Sequence, residues 1–169
     1  MIAKRLSICL LPVAAFLIAP SATSAMSRPC GWLTADEASA AAGAKVTETV
    51  DRKASNGAFN GCQYRTGNIS RFVLIEAYER PNVAGAQQFF DQQLKAAARL
   101  PGTYGQTHSL PITAVQGIGD QADDVAAQLF VRKGAVIFAV SIATPLDESQ
   151  TPAFAQKRKT LAQAIVRRI

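Results

Sequence analysis

The stretch 127–143, AQLFVRKGAVIFAVSIA, decides the fold. Its two halves, 127–132 and 135–143, are rich in Val, Ile and Phe and too short to be separate helices. Between them stands Lys133-Gly134, and glycine at the second position suits the positive φ of a type I′ turn. The stretch therefore reads as a β-hairpin, and its strands are antiparallel. Upstream, 71–78 (RFVLIEAY) alternates with apolar residues on both faces: Phe72, Leu74 and Tyr78 on one, with Glu76, and Val73, Ile75 and Ala77 on the other. A strand apolar on both faces belongs in the middle of a covered sheet. Before it, 46–50 (VTETV) alternates and 59–65 (FNGCQYR) is strand-like, with Thr66-Gly67-Asn68 as the turn into 71–78. Residues 51–58 and 116–122 are polar and glycine-bearing, and read as turns. Residues 112–115 read as a short strand.

Helices bracket these strands. Thr34-Ala-Asp-Glu37 spells a capping box, with Leu33 placed to staple onto Ala38, and the alanines that follow run to Gly43, a natural stop. A helix over 35–42 follows. Asn82 caps a second helix over 83–99, where Val83, Ala86, Phe90, Leu94 and Ala97 recur at helical spacing. Leu100-Pro101-Gly102 ends it, and 100–111 (LPGTYGQTHSLP) is a loop long enough to suggest function. Thr151-Pro152 opens a last helix with Phe154, Leu161, Ala164 and Ile165 on its apolar stripe. The order α–β–β–β–α–β–β–β–α, joined by short turns, predicts an α+β domain: an antiparallel sheet with helices packed on it. The two halves echo each other loosely, without residue-level repetition.

The first 25 residues stand apart from this plan. Lys4 and Arg5 precede an apolar run, Leu6 to Ile18, that is broken at Pro20, and Thr23-Ser-Ala25 offers small residues for cleavage. This is the pattern of a secretory leader cut after Ala25. The run of 13 residues, carrying Pro12, is short of the roughly 20 that a spanning helix needs. Ile8 before Cys9 argues against lipid attachment there. Without the leader, 169 residues become 144, net charge +6 becomes +4, and three cysteines become two. The expected location is the periplasm or the cell exterior, with no transmembrane segment in the mature chain. In an oxidising compartment Cys30 and Cys62 have one possible partner each, and a disulfide is expected; a reactive thiol is the alternative, but no His or cation cluster lies near in sequence.

No motif specifies a reaction. Gly117-Ile-Gly119-Asp120-Gln-Ala122 matches a dinucleotide fingerprint formally, yet a strand follows it rather than a helix, and its acids would crowd a pyrophosphate. Asp120, Asp123 and Asp124 lack the spacing of a calcium loop and read as a solvated acidic turn. His108 is the single histidine, so a multi-histidine metal site is excluded; with Ser109 it forms a weak catalytic candidate that lacks a G-x-S-x-G elbow. The carboxylate pairs Asp36/Glu37, Glu76/Glu79 and Asp147/Glu148 have cap, strand or turn explanations. Lys157, Arg158, Lys159, Arg167 and Arg168 make the last helix basic, either as solvated cations near a helix C-terminus or as an anion-binding surface. Lys157, Lys159, Arg167, Arg168 and Tyr104 are the surface-binding candidates, and Trp32 is expected to pack over the disulfide. No cofactor and no nucleic acid is expected, since no basic stripe is interleaved with aromatics.

Pro29-Cys30-Gly-Trp-Leu33-Thr34-Ala-Asp-Glu37, Cys62-Gln-Tyr64, the Gly117–Ala122 segment and Leu129-Phe-Val-Arg-Lys133-Gly134 occur in an order that resembles small secreted or lipid-anchored domains of unknown function, best known from actinobacterial envelopes. The resemblance implies a Cys30–Cys62 disulfide and an α+β sandwich, and it brings no catalytic residues. The functional expectation is an exported binding or interaction protein without catalytic activity, with an inhibitor-like role as one specific form, whose partner is a protein or an envelope polymer. The alternatives are a small hydrolase using the 100–111 loop and a binder of anionic envelope surfaces.

Overall fold

The computed structural model describes residues 28–53, 59–101 and 107–169. The expected leader, 1–25, lies outside the described residues, as does Tyr104. The first described element is a 3-10 turn, Pro29–Gly31. Then come α1 (Ala35–Ala42), β1 (Val46–Lys53), β2 (Asn60–Thr66), β3 (Phe72–Glu79), α2 (Val83–Ala97), β4 (Arg99–Pro101), β5 (Thr107–Ser109) and β6 (Thr113–Ala114). The chain closes with β7 (Gln121–Val125), β8 (Gln128–Lys133), β9 (Val136–Ala143), α3 (Leu146–Ser149) and α4 (Pro152–Val166).

Among the described residues, seven strands form one antiparallel sheet in the order β1-β2-β3-β9-β8-β7-β6, and β4 and β5 form a separate ladder. β3 pairs with β2 on one side and β9 on the other over its whole length, which is the central place its two apolar faces require. On one face Val73, Ile75, Phe138, Val140, Leu129 and Val131 pack under α1 and α4. On the other, Ile137, Ala139, Phe130 and Val125 pack under Ala86, Phe90 and Leu94 of α2. The result is a three-layer α+β sandwich, pinned at its N-terminal end by the Cys30–Cys62 disulfide. Trp32 is buried edge-on against Phe138 in the core that holds Cys62. The hydroxyl of the buried Tyr64 points at the backbone oxygens of Cys30 and Leu33, tying β2 to the lead-in segment.

Two three-stranded meanders, β1-β2-β3 and β7-β8-β9, meet at their third strands. A two-fold axis normal to the sheet would relate such halves and keep each helix on its face. Yet α2, after β3, and α4, after β9, lie on opposite faces, so the echo between halves stops at the strands.

Several boundaries differ from the sequence expectation for identifiable reasons. α1 begins and ends as read, with both hydrogen bonds of the capping box formed between Thr34 and Glu37. α2 stops at Ala97, and β4 and β5 organise the ends of the expected loop. β1 runs to Lys53 because Asp51, Arg52 and Lys53 pair with Cys62, Gly61 and Asn60, so tertiary pairing overrides their polarity. The polar segment after Gly119 is strand β7, not a turn, and joins the sheet opposite β8. The hairpin turn between β8 and β9 is Gly134-Ala135, since Lys133 pairs with Val136. Only Gly134 has positive φ there, so the turn is type II′ rather than the expected I′. The type I′ pattern occurs instead at Ala126-Ala127, the turn between β7 and β8, where φ is 54° and 61°.

Candidate functional site

α1 and α4 share one face of the sheet, and α4 rests on β8 and β9. Beyond α4 the sheet continues for two more strands, and among the described residues no helix lies over them on that face. The gap is a cleft of about 340 Å3 between α4 and the β6 edge, lined by Thr113, Val115, Asp124 and Leu129 from the sheet and by Gln150, Pro152, Ala155, Gln156, Arg158 and Lys159 from the helical side. A side chamber of about 190 Å3 shares Thr113, Asp124, Gln150 and Arg158 with it and extends to Leu110, Pro111 and the Ala126-Ala127 turn. The main chamber is at the lower end of the size range of small-ligand sites.

The cleft is organised by one ion pair. Arg158 sits on the apolar stripe of α4 with Phe154, Leu161 and Ile165, and only 2% of it is exposed. Its Nε and one terminal nitrogen both donate to Oδ2 of Asp124, at 3.0 and 2.8 Å, and the other terminal nitrogen donates to the Ser149 carbonyl at 3.0 Å. Burial of a guanidinium is tolerated because each face of the fork is satisfied. Asp124 keeps its second oxygen, Oδ1, unbonded among the described residues. Lys159, half-buried beside it, and the exposed Gln150 and Gln156 likewise carry side-chain groups that bond to no described residue. The rim is strained: a non-glycine residue in the left-handed region costs roughly 1–2 kcal/mol, and the side chamber's wall holds two in succession.

The residues singled out from sequence divide sharply. The solvated acidic turn is corrected: Asp123 and Asp124 are neighbours on β7, so they point to opposite faces of the sheet. Asp123 is buried and accepts from Gln121, while Asp120 accepts from Arg132 and from the Gly134 amide. The three acids therefore do not converge, and among the described residues no group of three or more metal-ligating side chains forms. Gly117-Ile-Gly119 is a clasp onto β8: a Cβ on Gly119 would collide with the Arg132 carbonyl, and the Asp120 amide bonds that same oxygen at 2.8 Å. His108 falls in β5 opposite Leu100, with its side chain outside the described residues, and Ser109 is exposed opposite Arg99.

The carboxylate pairs are also accounted for. Asp36 is exposed in the first turn of α1. Glu76 accepts from Gln128, Glu79 lies at the end of β3, and Glu148 holds Arg71 through two bonds of 2.7 and 2.9 Å. Asp147 belongs to α3.

The basic helix is corrected in part. Arg158 is not a solvated cation but the buried anchor just described. Arg168 clamps Glu37 through two bonds of 2.8 Å and also donates to the Trp32 carbonyl. The hydrogen bond from Arg168 holds the Glu37 carboxyl down at about 2, against the opposing effect of burial, and the Thr34 bonds add to the lowering. Lys157 donates to the Ala41 carbonyl and lies 4.4 Å over the Phe154 ring. The side chains of Lys159 and Arg167 alone of this set bond to no described residue.

No family model and no curated protein matches the chain. Among solved structures it is similar to the extracellular domain of PknH from Mycobacterium tuberculosis, at 13% identity and a TM-score of 0.48, over 83% of this chain and 94% of that one. Among the described residues no helix is long and apolar enough to cross a membrane.

Sequence reasoning missed the cleft's centre, although part of the signal was present. Position 158 falls on the same helical face as Phe154, Leu161 and Ile165, so a cation there had to be buried and paired. Its partner could not be read, because Asp124 lies 34 positions away, with β8, β9 and α3 between them.

Proposed function

We propose that this chain is an exported binding module that acts without catalysis and holds its ligand in the Asp124–Arg158 cleft. The observation that carries this reading is the state of the cleft's acid and base. Asp124 and Arg158 are bonded to each other, and the Arg158 side chain is 3% exposed. A general acid or base must exchange a proton with substrate; a pair locked in this way supplies fixed charge and shape instead. Around it, Asp124 Oδ1, the Lys159 ammonium, the Thr113 hydroxyl and the Gln150 and Gln156 amides offer both acceptors and donors. The ligand they suit is a small polar molecule or peptide segment carrying an anionic group for Lys159 and a donor for Asp124. The lining includes no aromatic ring on which to stack a sugar. The strained Ala126-Ala127 rim supports the same assignment, because strained backbone tends to persist where a site is held in shape.

Export is supported by the Cys30–Cys62 disulfide, a bond that persists in oxidising compartments, together with the leader pattern of residues 1–25. The periplasm or the cell exterior is the location both features suit, and a protein or an envelope polymer is the partner class. The test is capture from envelope extract with the tagged protein and its Lys159→Glu variant, the latter checked for native Trp32 emission. The expected result is a ligand retained by the wild type and lost from the variant. Equal retention would overturn the cleft assignment. A parallel screen of ester, peptide and glycan substrates addresses catalysis: turnover by the wild type that disappears in His108→Ala or Ser109→Ala would overturn the non-catalytic reading.

A further inference from the structure

On the other flank of α4, away from the cleft, lies a second cavity of a different chemical kind. α1 faces α4 with Ala40 and Ala41, and between the two helices lies a trough of about 300 Å3. Ala40, Ala41, Leu161 and Ala164 supply its apolar walls, and Lys157 and Arg167 stand on its rim. Glu37 also borders it, but its charge is neutralised by the clamp to Arg168. The rim therefore carries net positive charge, with the exposed Arg167 guanidinium bonded to no described residue.

From this pairing of an apolar floor with a cationic rim, we propose that the α1–α4 trough takes one acyl chain of a monomeric anionic amphiphile, the chain lying on Ala40, Leu161 and Ala164 and the acidic head meeting Arg167. A neutral polar ligand would leave the floor unused, and a cationic one would be repelled by the rim. The charge complementarity selects the head and the apolar walls select the tail. The site shares only Gln156 with the Asp124–Arg158 cleft, and its cation and apolar walls are its own, so each can stand without the other.

The test titrates the protein with decanoate, decyltrimethylammonium and decyl maltoside, each below its micelle concentration, by calorimetry, with amide shifts of Thr160 and Ala164 to locate binding. Decanoate is expected to bind at least about tenfold tighter than the cationic amphiphile. Octanoate should bind about five- to tenfold more weakly than decanoate, since a fully buried methylene corresponds to roughly fourfold and the trough is open on one side. Arg167→Glu, on an exposed side chain, should remove the preference for decanoate and leave decyl maltoside unchanged. Ala40→Leu, a solvent-facing change compatible with a helix, should fill the trough and weaken all three. Equal affinity for the three heads, unaltered binding by Ala40→Leu, shifts located elsewhere, or association with phosphatidylglycerol vesicles without monomer binding would each overturn the proposal.

Discussion

Replacing Arg158 by Met tests the centre of the cleft, because it removes the charge while keeping most of the apolar stem. Three bonds disappear: two to Asp124 Oδ2 and one to the Ser149 carbonyl. What remains is a carboxylate on the wall of the cleft that has lost its bonded cation. Breaking a buried pair from one side costs about 3–5 kcal/mol. The Asp124 side chain is 19% exposed, so water can reach it in part, and the lower end, about 3 kcal/mol, is expected. The double variant Asp124→Leu/Arg158→Met leaves no orphaned charge and should lie within about 1 kcal/mol of wild type, since buried pairs often exchange for apolar groups at little net change. The coupling energy of the cycle should then be about 2 kcal/mol or more. Urea unfolding followed by the emission of Trp32, the single tryptophan, reads all four corners. A loss below about 1 kcal/mol in Arg158→Met, or a coupling under about 0.5 kcal/mol, would refute the claim that this pair organises the α4 side of the cleft.

Three further outcomes follow from other parts of the fold. Cys30 and Cys62 close a loop of 32 positions, so replacing both by Ala should lower stability by about 4 kcal/mol in urea, and the protein freed of residues 1–25, and so of Cys9, should yield no reactive thiol when denatured. Glu37 has its folded value held down at about 2 from an ordinary 4.5, so the stability it contributes is complete above about pH 4.5 and lost as pH falls toward 2. With a third of that side chain exposed, solvent screening reduces the contribution to about 1 kcal/mol, and Glu37→Gln should flatten the acid limb of a stability–pH curve by that amount. Ala126→Asn/Ala127→Gly gives the β7–β8 turn the residues its backbone asks for and should raise stability by a net of about 1 kcal/mol after the entropic cost of the added glycine, read as a higher melting temperature; a lower melting temperature would contradict the left-handed assignment of both alanines.

How much of this was legible in the sequence depends on how local each cause is. α1 was readable to the residue because both of its ends are set by contacts within three or four positions: Thr34 with Glu37, and the Gly43 amide with the Ser39 carbonyl. The central place of β3 was readable because its two apolar faces demand cover. β7 was not, because Gln121, Asp123 and Asp124 carry no strand signal. They enter the sheet through pairing with β8, and two of them acquire distant partners: Gln87 for Gln121, and Arg158 for Asp124. The two turns show the limit most directly. Gly134 advertised a type I′ turn and made a type II′, whereas Ala126-Ala127 advertised nothing and adopts the positive φ pair. A turn one position longer or shorter would break the alignment of Asp124 with Leu129 and Phe130 with Asp123 that the ladder imposes. Register, enforced by burial on both faces of β8, overrides the local preference of two alanines.

The same contest explains why the chain's basicity is a poor guide to its surface. Five cations crowd the last helix and its C-terminal end, yet the fold commits them to different tasks. Arg158 is withdrawn into the core stripe, Arg168 is bound by Glu37, and Lys157 is turned onto the Ala41 carbonyl and the Phe154 ring. Lys159 and Arg167 are left, and α4 places them in different cavities: Lys159 in the polar cleft, Arg167 on the rim of the apolar trough. One helix thus presents a single cation to each of two unlike cavities. If recognition depended on summed charge, Lys159→Glu and Arg167→Glu would weaken every anionic ligand alike. If it depends on the walls around each cation, Lys159→Glu should abolish retention of the cleft ligand and spare decanoate, and Arg167→Glu should do the reverse. Parallel losses for both ligands in both variants would return the helix to a diffuse basic surface, because long-range attraction between exposed charges is screened within about 10 Å at ordinary salt and cannot by itself tell one flank of a helix from the other.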